Sequence, residues 1–454
     1  MTILHARQAL LADGWADNVT LTLDGARIAA VSSGAPAPAH ATRVGVLLPA
    51  PANIHSHAFQ RAMAGLTERR GPDPSDSFWT WRRLMYRFLE ALTPEDITAI
   101  AAFVQMEMLE AGYGASVEFH YLHHAPGGTP YANLAEMSVA IAEAAAQSGI
   151  GLTLLPVLYQ QGGCDGRPLQ GGQTRFGNSD EQFARLVEGA EAALAPLPED
   201  CRLGIAAHSL RAVTPQALDF ASQLRPGTPF HMHLAEQIGE VEEVEAHLGA
   251  RPTRWLLDHA QIDARWCLIH CTQMERDETL ALARSGAVAG LCPITESSLG
   301  DGIFDGVAYL GAGGKFAIGS DSNIRITLSE ELRTLEYSQR LRDRSRAALA
   351  SPQRSTGRVL HEGACLGGAQ AAGRQASQIA PGQLADLMAL DDTGPDLAGR
   401  VGDTLTDSYI FAGDDRLVRD VWSAGRHLVT DGRHIRREAI TRAYMAATAR
   451  LTAS

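Results

Sequence analysis

Apolar runs, several rich in β-branched residues, recur at about 46–54, 113–119, 151–159, 202–207, 228–234, 265–270, 287–291 and 315–320. Each has the length and composition of a buried strand. Stretches with helical spacing of apolar positions follow most of them, at 93–112, 131–148, 180–195, 214–224, 237–248, 275–285 and 328–348. The first opens on Thr93-Pro-Glu-Asp96, a capped N-terminus, and closes at Gly112. Eight strands alternating with helices predict an α/β chain closed into a parallel (β/α)8 TIM barrel. A doubly wound open sheet is the alternative, but no GxGxxG follows the first strand.

The two ends follow a different pattern. Residues 1–33 and about 383–436 read as short alternating strands joined by turns such as Asp24-Gly25 and Asp431-Gly432. Small-residue junctions at 34–41 and 372–382 set them off. The expected organisation is a small β-sandwich domain built from both chain ends, residues 1–45 and 380–454, beside a barrel spanning 46–379.

Composition narrows the class. Of 454 residues, 45% are hydrophobic and 20% charged, which excludes disordered and fibrous chains. No apolar run approaches the ~18–20 residues of a membrane span. Met1 to Asp24 lacks a basic segment followed by an apolar one, so no signal peptide is expected. The six cysteines contain no CxxC pair, which suits reduced thiols and a cytoplasmic location. A net charge of −13 without a basic patch argues against nucleic acid and anionic membranes as partners. A symmetric homodimer is the commonest assembly for such a chain. Of the 39 basic residues only Lys315 is a lysine.

Active sites in such barrels lie at the C-terminal ends of the strands, and the notable polar residues fall there. Strand one ends Asn53-Ile-His55-Ser-His57, and residues two apart on a strand share a face. Strand five ends His231-Met-His233-Leu-Ala-Glu236, strand six Ile269-His270, and strand eight Gly319-Ser320-Asp321. Four strand ends thus bring a histidine or an acid to one mouth. Neutral imidazole and carboxylate suit Zn²⁺ or Fe²⁺ better than Mg²⁺. Water on such an ion falls in pKa towards about 7, and a free glutamate beside it can carry protons.

With these motifs in this order, the chain resembles the amidohydrolase superfamily over nearly its whole length. The C-terminal stretch Pro381-Gly-Gln-Leu-Ala-Asp-Leu-Met-Ala-Leu390 adds to the likeness. The HxHxxE form resembles its deaminase branch, which implies one divalent metal, Zn²⁺ or Fe²⁺, held by His55, His57, His233 and Asp321. That pattern selects His233 over His231 and leaves His231 to packing. It further implies that Asp321 takes a proton from water, Glu236 delivers one to the leaving nitrogen, and His270 hydrogen-bonds the attacking oxygen. Binuclear relatives often bridge two metals through a lysine at the end of strand four. Here that strand ends Ala206-Ala-His208-Ser-Leu-Arg211, and Lys315 begins strand eight at the opposite end. A carboxylate bridge stays open, with Glu118 as its candidate.

The loops at Ala58–Glu68, Phe78–Phe88, Glu118–His124 and His208–Arg211 resemble the deiminases of N-formimino-L-glutamate within that branch, enzymes of histidine degradation. The resemblance implies a small dianionic, amino-acid-derived substrate bearing a formamidine. Arginine forks match carboxylates, so Arg211 and Arg82 are the candidate clamps. Gln60, Tyr121 and His208 are the candidate polar contacts. Deamination of a purine or other amino-heterocycle is the rival activity; the aromatic residues Phe78, Trp79 and Trp81 would then stack on the ring. A non-catalytic barrel protein is the remote alternative, and would be expected to have lost ligands.

Overall fold

The computed structural model describes residues 1–68 and 78–453, the side chains of 78–83 excepted. The chain opens with β1 (Thr2–Leu11), β2 (Gly14–Asp24), β3 (Arg27–Ser32) and β4 (Thr42–Pro49). The barrel strands follow as β5 (Ala52–Ser56), β6 (Ala115–His120), β7 (Gly151–Leu158), the broken pair β8 (Arg202–Leu203) and β9 (Ile205–Ala207), β10 (Phe230–Leu234), β11 (Trp266–His270), β12 (Val288–Leu291) and β13 (Lys315–Ile318). The chain then returns through β14 (Leu387–Leu390), β15 (Val418–Ser423), β16 (Arg426–Thr430) and β17 (Arg433–His434).

Strands β5 to β13 pair in parallel in sequence order. Strands β6, β7, β10 and β11 are buried along their whole length, as expected when helices cover the outside and side chains fill the inside. The helix expected after Thr93 runs Pro94–Glu110, with Thr93 and Asp96 forming a reciprocal capping box. The run at 46–54 proves to be two strands. Its first half ends in β4 of the terminal sheet, and the chain enters the barrel only after Pro51, whose missing N–H cannot continue a ladder. Helices Thr356–Ala371 and Arg437–Ala453 had no counterpart in the sequence reading.

Barrel closure joins β5 to the segment after β13. Ser56 bridges Asp321, with His57 N–H donating to Asp321 O at 3.0 Å and Asp321 N–H to His55 O at 2.8 Å. A buried side-chain chain reinforces the seam. Asn53 Nδ2 donates to Ser320 Oγ (2.8 Å), Ser320 Oγ to Asn323 Oδ1 (2.6 Å), and Asn323 Nδ2 to Ser56 Oγ (3.1 Å). Gly319 permits the approach, because a Cβ there would stand 2.7–2.9 Å from the Cβ, N and O of His55.

The sandwich expected from the chain ends takes the form of one path of eight strands, ordered β17-β16-β15-β14-β4-β1-β2-β3. It curls so that its far edge meets the segment before β14, with Ile28 N–H donating to Gln383 O (2.9 Å) and Ala385 N–H to Ala26 O (2.8 Å). Leu4, Leu21, Ile28, Leu47, Leu387 and Trp422 fill the fold between. At the β16–β17 turn both Asp431 (φ 51°) and Gly432 (φ 75°) are left-handed, as a two-residue hairpin of this hand requires. A buried ion cluster ties sheet to barrel: Arg374 reaches Asp386 at 2.8 Å and Asp200 at 3.2 Å, and Arg426 reaches Asp200 at 2.7 Å. Among the described residues no helix is long and apolar enough to cross a membrane.

Gly319→Ala should force the seam apart. Overpacking of this kind costs about 1–3 kcal/mol, so the urea midpoint should fall, and bound metal should fall with it. An unchanged midpoint would show that the seam has slack.

Candidate active site

Three barrel-strand ends bring four donors together at the mouth. His55 sits on β5 and His57 one residue past it, His233 near the end of β10, and Asp321 three residues after β13. Their donor atoms all lie within 4.8 Å of one another, and all four residues are buried. His55 Nε2 is 3.0 Å from His233 Nε2 and 3.4 Å from Asp321 Oδ1; His57 Nε2 is 3.2 Å from the same oxygen.

The outward ring nitrogens fix two of the tautomers. His57 Nδ1–H donates to Phe119 O and His233 Nδ1–H to His208 O, both at 3.0 Å. Each therefore turns the lone pair of Nε2 inwards, as a metal-binding imidazole does. Two inward imidazole nitrogens at 3.0 Å, with His55 Nδ1 unpartnered, leave this polar cluster unsatisfied by itself. Three imidazole nitrogens and one carboxylate oxygen suit a divalent transition metal, so the residues present fit one. Burial, with His57 adding to it, lowers the pKa of His55 to about 3, keeping it a neutral ligand. Burial opposes the charge of Asp321, but its hydrogen bonds to His55 and His57 prevail and hold it well below the usual carboxylate range.

His231 lies outside the cluster. It is fully buried, and its Nε2 bonds Ala371 O at 2.8 Å. Glu118 accepts the N–H of Ala58 at 2.7 Å and is not among the grouped donors, so it braces the turn after β5. Lys315 sits exposed at the start of β13, bonded to Gln370.

Beside the four donors stand Glu236 and His270. Their separation is 3.7 Å, Nε2 to Oε1, while His270 Nδ1 faces Glu296 Oε1 at 3.3 Å. Burial works against an imidazolium here, yet Glu236, then the Glu296 hydrogen bond and Asp321, raise His270 to about 10. Burial raises the Glu236 carboxyl and the charge on His270 partly offsets it. Glu240 accepts the N–H groups of Ala235 (3.1 Å) and Glu236 (2.9 Å), holding the turn that aims the Glu236 side chain. Ala235, His270, Cys271 and Asp321 all have positive φ, so the backbone is strained where these strands end.

A cavity of about 370 Å³ opens above, lined by His57, His233, Glu236, His270 and Asp321 and by Gln60, Tyr121, Tyr159, Gln173, His208 and Arg211. Gln60 Nε2 donates to Tyr121 Oη at 2.9 Å, and its Oε1 is buried without a partner. His208 Nδ1 is 3.2 Å from Ser209 Oγ. Arg211 carries a buried, unpartnered Nε; burial disfavours its charge, but Glu240 and Glu236 outweigh it and raise its pKa further. Arg82 lies in the helix Phe78–Ala91, and its side chain, with those of Phe78, Trp79 and Trp81, falls outside the described residues.

The sequence reading missed Tyr159, Gln173 and Arg167, which reach the cavity from the loop after β7. Arg167 pairs with Asp165 and Glu243, each at 2.9 Å. No periodicity marks that loop. Glu240, by contrast, had a signal: it stands four residues after Glu236, where a helix start needs an acceptor.

A model of the amidohydrolase family matches residues 46–428, and one of the formimidoylglutamate deiminase HutF N-terminal domain matches residues 1–43. The chain is 48% identical to a formimidoylglutamate deiminase of Pseudomonas aeruginosa, over 98% of each chain. A crystal structure of an amidohydrolase from Brucella melitensis superposes with a TM-score of 0.96 at 49% identity, covering 100% of both chains. An adenosine deaminase from Xanthomonas campestris, solved with bound zinc, shares the fold at a TM-score of 0.82 and 19% identity, covering 100% of this chain and 99% of that one.

His233→Ala should abolish tight metal binding, while His231→Ala should lower thermal stability and keep the metal. Elemental analysis after dialysis reads both. Full metal in the His233 variant would remove that residue from the donor set.

Proposed function

Because the chain belongs to the amidohydrolase family, we propose that it is a hydrolase acting on a linear amidine, converting N-formimino-L-glutamate and water to N-formyl-L-glutamate and ammonia. One observation carries the reading: a single cavity holds the four-donor cluster, the proton-bearing pair Glu236–His270, and a cationic arginine with an unpartnered Nε. The whole-length likeness to the Pseudomonas aeruginosa enzyme supports the same substrate, and with it a place in histidine degradation. Six cysteines without a disulfide suit the cytoplasm.

His55, His57, His233 and Asp321 would hold the divalent metal, for which we favour zinc with Fe²⁺ as the alternative. Such an ion supplies Lewis acidity and makes a water molecule nucleophilic near neutral pH. The protein does the rest. Asp321 Oδ1, held acidic, takes the proton of the attacking water. Water adds to the formamidine carbon. Glu236 delivers a proton to the amino nitrogen, the C–N bond breaks and ammonia leaves, and the oxygen's remaining proton passes to the Glu236 carboxylate as the formyl C=O forms. The imidazolium of His270 presents its Nε2–H to the charge that develops, already oriented by Glu296. Arg211 clamps one carboxylate, and Arg82 is proposed for the other. Gln60, Tyr121 and His208 orient the chain between them.

Ammonia release from N-formimino-L-glutamate, measured beside guanine, adenosine and cytosine, tests the substrate. Release from the formimino acid alone is expected; release from a ring alone would overturn the clamp. Glu236→Gln should keep its metal and lose about 10²–10⁴-fold in kcat, the usual size of acid–base assistance. Arg211→Ala removes a charged hydrogen bond worth about 1.5–3 kcal/mol, so kcat/KM should fall roughly 10- to 150-fold. An unaltered kcat/KM would place the carboxylates elsewhere.

A further inference from the structure

A second set of donors meets at His270. Glu236, His270 and Asp301 each offer an atom within 4.8 Å of the other two, and all three residues are buried. Asp301 is 2% exposed. One of its oxygens accepts from Gln237 Nε2 at 2.6 Å; the other, Oδ2, is buried with no hydrogen-bond partner. A buried carboxylate oxygen without a donor is costly unless something positive meets it. Burial and the neighbouring Glu236 accordingly push Asp301 up to about 8.

From this geometry we infer a second, weaker divalent-cation site formed by His270 Nε2, Glu236 and Asp301. Its construction follows the rules for such sites. His270 Nδ1 is engaged by Glu296 at 3.3 Å, which turns Nε2 towards Glu236 at 3.7 Å in the carboxylate–histidine–metal manner. Gln237 orients Asp301 in the same way. One nitrogen and two oxygens suit Zn²⁺ or Mn²⁺. Bonds of about 2.0–2.2 Å would require the donors to draw somewhat closer than 4.8 Å. Glu236 and His270 both line the cavity, which provides the entry path. Three donors instead of four make binding weaker here than at the four-donor cluster.

The consequence is inhibition. A cation on Glu236 and His270 occupies the groups that carry the reaction's proton, so metal above one equivalent should slow the enzyme. This consequence rests on the role proposed for Glu236; the ion count does not.

The test is equilibrium dialysis of the holoenzyme against buffered zinc, with zinc per chain read by elemental analysis. Wild type should bind one ion at low free zinc and a second at higher concentration. Asp301→Asn, nearly isosteric and able to keep the Gln237 contact, should bind the first normally and need at least tenfold more zinc for the second. The zinc concentration that halves turnover should shift upwards by the same factor, each protein compared with its own rate at one equivalent. Should Asp301→Asn fail to fold, Gln237→Ala, which frees the carboxylate to rotate, should shift the second binding step in the same direction. A wild type that saturates at one ion, or a second ion insensitive to Asp301 and Gln237, would overturn the site. Failure of the substrate reading would leave these counts untouched.

Discussion

The four-donor cluster of this protein depends on the closure between its first and last barrel strands. Two of the four donors come from β5 and a third from the segment after β13, so the cluster exists only if that seam shuts in register. The structure shuts it with two backbone hydrogen bonds that link His55 and His57 to Asp321 itself. Three of the four candidate donors are thus part of the seam. Below them the buried run Asn53–Ser320–Asn323–Ser56 fixes the register further, and Gly319 gives the room. A one-residue slip would turn His55 and His57 to the opposite face.

Charge is the second constraint. Asp321, Glu236, Glu240, Glu296 and Asp301 crowd a buried region whose own cations are His270 and Arg211. Burial alone would neutralise the carboxyls. The region settles the conflict unevenly. Asp321 stays ionised through its histidines, His270 stays protonated through three acids, and Glu236 and Asp301 move towards the neutral form. Groups with separated proton affinities side by side are what an acid–base site needs. Removing any one member would redistribute protons over the rest, so their effects will not add.

Part of the scaffold's backbone strain gathers at the mouth. Ala235, His270, Cys271 and Asp321 take left-handed backbone at the strand ends, and a reinforced frame holds them there. Glu240 bonds the backbone at Ala235 and Glu236, and Glu296 bonds both Cys292 N–H and the ring of His270. Away from the mouth, Arg374 joins Asp200, just before the fourth barrel strand, to Asp386, just before β14. The sheet of both chain ends is thereby clamped to the barrel.

Local pattern determined much of this from the sequence. Strand runs of buried length, the Thr93–Asp96 cap, the Asp431-Gly432 turn and the two-residue spacing of His55 and His57 all express constraints within a few residues. The barrel and the candidate ligands were legible for that reason. A lone lysine at the wrong end of a strand was enough to remove a lysine bridge. Tertiary structure decided what no local constraint can encode. It divided the run at 46–54 between two sheets and made Glu118 a brace for the turn after β5. It chose the ring nitrogens of His57 and His233 through neighbouring carbonyls, and from loops without periodicity it brought Arg167 to the mouth and Asp301 to Glu236 and His270. In each case the deciding partner is distant in sequence, and only closure of the barrel brings it within bonding distance.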